Sequence, residues 1–141
     1  MEPVARTRGD AETIERVLRH ETWAVVGLTA NPARPAYGVA GFLQSRGKRI
    51  VPVNPKGETV HGEIGYQTVG DIPFQVDVVD VFRRSSQAGA HVDEAVAAGA
   101  KAVWLQLDVI DEAAADRAEA AGLDVVMDHC PAIEWPTHAP R

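Results

Sequence analysis

Short, near-continuous apolar runs alternate with helical patterns along this chain, and that alternation constrains its fold more than any other feature. The runs span residues 23–28, 48–56, 76–82, 102–107 and 124–128. Strands that are apolar on both sides belong to a parallel sheet covered on both faces. Between them, residues 10–19, 35–46 and 86–98 repeat apolar positions at helical spacing. Asp10 is placed to cap the first of these helices, with Ile14, Val17 and Leu18 on one face. Gly47 and Gly99 stop the next two, and Asp111 and Gly122 bracket an alanine-rich fourth. Residues 57–73 are polar and glycine-rich, and read as a loop with one helical turn. Pro52 costs a ladder hydrogen bond, so the second strand should be short. Right-handed crossovers then predict one doubly wound α/β domain over residues 1–141. Its three layers are α/β/α, around a five-stranded parallel sheet of expected order 3-2-1-4-5.

Bulk properties narrow the function classes. The 141 residues suffice for one core and are too few for two ordinary domains. A net charge of −6 argues against broad attraction to nucleic acid. No apolar run approaches the ~20 residues that cross a membrane. The amino terminus carries no apolar signal core, and the single cysteine suits a reducing compartment, so a cytoplasmic location is expected. Any phosphate ligand must be held by local amides and a few placed cations.

In a doubly wound sheet, ligands sit beyond the carboxyl ends of the strands. After the first strand come Gly27, Leu28, Thr29, Ala30 and Asn31. Gly27 permits a tight turn and Thr29 offers a hydroxyl. The amides near Tyr37 and Gly38, at the start of the next helix, present partial positive charge, to which Arg34 adds a full one. The dinucleotide spacing G-x-G-x-x-G is missing, and Gly27 and Gly38 serve turn and packing equally well. After the second strand, Val53, Asn54, Pro55 and Lys56 stand where an NAD site places an acid. A lysine there suits a phosphorylated ribose; the alternative is a solvated loop lysine. The third strand ends in Val81, Phe82, Arg83 and Arg84, an aromatic and two cations suited to a base and its phosphates. After the fourth, Gln106 is an amide among apolar neighbours that needs a partner.

The run Asp128-His129-Cys130 is weaker than it looks. Neighbours on an extended chain point to opposite sides, so His129 and Cys130 do not readily share a metal. Cys130 reads as a structural or bystander thiol, a catalytic thiolate with an oriented base being the sharper alternative. Asp77 and Asp80 fall on opposite faces and form no carboxylate dyad.

Taken jointly, Trp23-Ala24-Val25-Val26-Gly27-Leu28, Arg34-Pro35 with Tyr37, Val51-Pro52-Val53-Asn54-Pro55, Val76-Asp77-Val78-Val79-Asp80-Val81-Phe82-Arg83 and Val103-Trp104-Leu105-Gln106 resemble the small stand-alone CoA-binding proteins. These are related to the amino-terminal CoA-binding domain of the succinyl-CoA synthetase alpha subunit. The resemblance runs from about residue 15 to 135. It implies a Rossmann-like domain holding CoA or acyl-CoA, with phosphate at residues 27–30 and the adenosine 3′-phosphate near Asn54, Pro55 and Lys56. It further implies adenine or pantetheine contacts from Val81, Phe82 and Arg83. The synthetase's phosphorylated histidine belongs to a separate domain, and no histidine here matches its motif. The expectation is a CoA-binding module without complete catalytic machinery of its own, with an acyl-CoA ligase or acyltransferase as its partner. Two alternatives stand beside it, a small NADP-dependent oxidoreductase and the CoA-binding subunit of a split acyl-CoA ligase. Oligomeric state is left open.

Overall fold

A computed structural model describes residues 8–139. The chain runs α1 (Ala11–Leu18), β1 (Thr22–Val26), α2 (Pro35–Ser45), β2 (Arg49–Val53), a 3-10 turn (Val69–Asp71), β3 (Val78–Val81), α3 (Ser85–Ala97), β4 (Ala102–Leu105), α4 (Glu112–Ala120), β5 (Asp124–Met127) and α5 (Pro131–His138). Asp10 caps α1, its Oδ1 accepting from the Thr13 N–H at 2.7 Å, and Asp111 caps α4 in the same way. No helix among the described residues is long and apolar enough to cross a membrane.

All five strands are parallel, as expected, but their order is 2-1-3-4-5 rather than 3-2-1-4-5. The difference lies in the connection from β2 to β3. Its anchors Val69, Ile72 and Val76 pack with Ala88, Val92 and Ala95 of α3 and with the alanines of α4, on one face of the sheet. α1 and α2 cover the other face with Trp23, Val25 and Trp104, and Trp135 of α5 packs against it. A right-handed crossover on the α3 face must carry the chain back over β1, which places β3 beside β1.

β2 is short and lies at the sheet edge. The Pro52 carbonyl accepts from Tyr66 N–H at 2.9 Å on the outer side, so the missing proline N–H also points away from β1. At the carboxyl terminus, Pro131, Pro136 and Pro140 crowd the last eleven residues. Pro131 opens α5 and Pro136 sits within it, while Trp135 packs edge-on to Phe42 at 6.1 Å.

One strand residue breaks the apolar pattern. Asp80 lies in the middle of β3 between Val25 and Trp104 and is wholly buried. Neither carboxyl oxygen has a hydrogen-bond partner among the described residues, and burial pushes the group well above the usual carboxylate range. Asp77, on the opposite side, accepts from Thr22 N–H and lies 3.5 Å from Lys101 Nζ, so the two acids stay apart.

Candidate functional site

With β1 and β3 adjacent, the chain leaves their carboxyl ends in opposite directions, and a crevice opens between them. The Gly27 N–H bonds to the Val53 carbonyl (2.8 Å), and the Phe82 N–H to that of Val26 (2.9 Å), which draws the three strand ends together. Gly27 has φ of 93°, and a Cβ there would lie 2.6 Å from the Phe82 carbonyl oxygen. Only glycine fits so close an approach in that conformation.

Two hollows open on either side of this point. The larger, about 480 Å³, is lined by the start of α2 (Arg34, Pro35, Ala36), by Phe82, Arg83 and Arg84, and by Gln106 through Val109. The smaller, about 110 Å³, is lined by Val26, Val53, Asn54, Pro55, Gln67 and His91. Both include Gly27 and Arg83, so they form one groove across the switch point. A third hollow of about 520 Å³ lies elsewhere, between the 3-10 turn and the end of α3. Its one charged side chain, Glu94, already accepts from the Val69 N–H and meets His91, so it offers an anion no cation.

The groove gathers Gly27, Arg34, Val53, Asn54, Pro55, Phe82, Arg83 and Gln106 from the residues expected at the site. Lys56 stands exposed just past Pro55. The others sit beside the groove. Leu28 and Val81 are core residues, buried on opposite faces of the sheet. Thr29 Oγ1 accepts from Asn31 N–H at 3.3 Å, within its own loop. The Ala30 N–H is taken by Glu58 Oε1 at 2.9 Å. Tyr37 N–H bonds back to Arg34, its ring packs 4.2 Å from His61, and Gly38 is exposed on α2. Gln67, His91 and Leu107 through Val109 line the groove without having been anticipated. They come from a loop of no periodicity, from the second turn of a helix and from the loop after β4, none of which carries a local signal.

Asn54 is buried and spends its whole side chain on the chain itself. Nδ2 donates to the carbonyls of Leu28 (3.0 Å) and Glu58 (3.2 Å), and Oδ1 accepts from the N–H groups of Lys56 and Glu58. It ties the loop after β1 to the loop after β2 and sets where Lys56 begins. Gln106 and Arg83 have capacity to spare. Gln106 is 7 % exposed and its Oε1 is unpartnered among the described residues, as is the buried Nε of Arg83. Buried polar atoms left open at a cleft wall suit a polar ligand. With Arg34, Arg83 and Arg84 on the wall and the start of α2 facing in, the groove favours an anion within a chain of net charge −6. Cys130 is a free, buried thiol at the start of α5, and no three His, Cys, Asp or Glu among the described residues cluster to hold a metal.

A family model described as a CoA binding domain matches residues 21–136. The chain belongs to that family. The chain is also similar to the uncharacterized protein YneT of Bacillus subtilis, 33% identical over 85% of this chain and 89% of that protein. Among solved structures, a hypothetical protein from Pyrococcus horikoshii superposes with a TM-score of 0.87 at 36% identity, covering 96% of this chain and 97% of its own. A dinucleotide-forming acetyl-coenzyme A synthetase of Ca. Korarchaeum cryptofilum shares the fold at 24% identity and a TM-score of 0.70. That match covers 82% of this chain but 28% of the synthetase. The CoA binding domain here is thus a Rossmann-like α/β unit.

Proposed function

We propose that this chain holds CoA in the switch-point groove as a binding module, and lends it to a separate acyl-CoA ligase or acyltransferase. The observation that carries the reading is the groove itself, two hollows joined at Gly27 and Arg83 in a CoA binding domain. The diphosphate lies at that junction, against Arg83, Arg34 and the start of α2. The adenosine end occupies the smaller hollow by Asn54 and Pro55, with its 3′-phosphate toward Lys56. The pantetheine arm crosses the larger hollow, where Gln106 has an amide free to meet those of the arm.

Titration calorimetry with CoA, dephospho-CoA and NADPH tests this. CoA should bind, and NADPH should not. Lys56→Ala should weaken CoA about fivefold more than dephospho-CoA, the scale of one exposed ion pair. Equal losses would remove Lys56 from the 3′-phosphate, and preference for NADPH would replace the reading with a small oxidoreductase.

Glu58 supplies an opposing charge. Its carboxylate occupies the Ala30 N–H in the loop beside the diphosphate, so an incoming phosphate meets a like charge already seated there. Glu58→Gln keeps the acceptor and removes the charge, and should tighten CoA about fivefold at low salt, fading as salt is raised. Unchanged or weaker binding would show that the two anions do not compete.

A further inference from the structure

The described chain exposes four large apolar side chains, Ile64, Leu107, Ile110 and Ile133. Two of them, Leu107 at 46 % and Ile110 at 48 %, stand three residues apart on the loop from β4 to α4. That loop forms one wall of the larger hollow, to which Leu107 and Val109 contribute directly. Hydrogen bonds hold this loop in one geometry. Asp108 adopts φ of 67°, and its N–H bonds to Asp128 Oδ1 at 2.7 Å. The Ser85 hydroxyl donates to the Asp108 carbonyl (3.2 Å) and accepts from Ile110 N–H (2.9 Å). Three hydrogen bonds, from Asp128 and Ser85, therefore fix a left-handed, non-glycine backbone that leaves Leu107 exposed on the wall of the larger hollow and Ile110 exposed next to Val109. Strain maintained in this way at a site edge points to use.

We propose that Leu107 and Ile110 are a platform for the acyl group of an acyl-CoA, so that the protein prefers thioesters of aliphatic acids of several carbons to free CoA. The inference rests on the CoA reading above. It follows from continuity: an arm passing Gln106 in the larger hollow reaches Leu107 next. Two side chains are too small a patch for a stable protein interface, which takes about 800 Å² from each partner. The flanking acids Asp108 and Glu112 are exposed and disfavour both an anionic lipid surface and a free fatty carboxylate. A thioester is neutral at its acyl end and meets no such penalty.

Calorimetry with CoA, hexanoyl-CoA and hexanoate on the whole protein decides the matter. Hexanoyl-CoA should bind about tenfold more tightly than CoA, as expected for burial of two methylenes, and hexanoate alone should not bind. In the double variant Leu107→Ser, Ile110→Ser the ratio of the two CoA affinities should fall to about one, and Ile110→Ser alone should give an intermediate ratio. A ratio of one in the unmodified protein, or a ratio retained in the double variant, overturns the platform while leaving the CoA site standing. Failure of CoA itself to bind overturns the CoA reading, and the platform falls with it.

Discussion

Gly27→Ala should lower stability by about 3 kcal/mol and abolish binding in the groove. Two costs combine. A φ of 93° strains any L-residue, and the new Cβ would lie 2.6 Å from the Phe82 carbonyl oxygen. To relieve that contact the ends of β1 and β3 must part, loosening the Phe82 to Val26 bond and moving Arg83, which both hollows share. Gly47→Ala isolates the first cost. Gly47 has φ of 83° and nothing within 4 Å of its would-be Cβ, so only about 1 kcal/mol of strain is expected. Urea unfolding of both variants separates clash from strain. If Gly27→Ala were no worse than Gly47→Ala, the close approach of β1 to β3 would have no energetic weight.

Asp80→Asn should gain stability relative to its parent as pH rises. Burial holds the folded-state carboxyl neutral well above its ordinary value of 3.8, whereas the unfolded chain ionises near that value. Below 3.8 both states are protonated and the group contributes nothing to the balance. As pH rises, the unfolded state releases a proton that the folded state keeps. Stability then falls by about 1.4 kcal/mol per pH unit until the folded carboxyl itself titrates. Asparagine has no such term. Its amide brings an extra donor to a site without partners, a penalty that is the same at every pH. The slope is therefore the readout, and thermal midpoints of the two proteins from pH 4 to pH 7 supply it. Parallel curves would mean that Asp80 is ionised in the folded protein.

The strands and four of the helices were legible because each carries its own local signal. Asp10 and Asp111 announce caps, and the apolar runs at 23–28 and 102–107 have no reading except as covered strands. Strand order was not legible, because it depends on which face receives Val69, Ile72 and Val76, and those anchors have no period. α5 was hidden by Pro136, a residue that ordinarily ends a helix and is tolerated here where Trp135 packs against Phe42. The site divides in the same manner. Gly27, Phe82, Arg83 and Gln106 directly follow strands, so the position rule for doubly wound sheets finds them. His91 and Gln67 reach the groove only through the fold. Asn54 was legible as a position, but its internal hydrogen bonds emerge only when two loops are seen together.

The proline at the margin of β2 has a consequence for how copies of this molecule meet. Strands at sheet margins recruit other strands through open N–H and carbonyl groups. On the β2 side, Pro52 has no N–H to offer and Tyr66 already occupies its carbonyl; on the β5 side, the Met127 N–H is taken by the Arg8 carbonyl. Both borders are thereby blunted against fibrillar stacking and against a sheet continued from one copy into the next. Pairing through either margin of the sheet is disfavoured, and the ligand edge stays open to solvent.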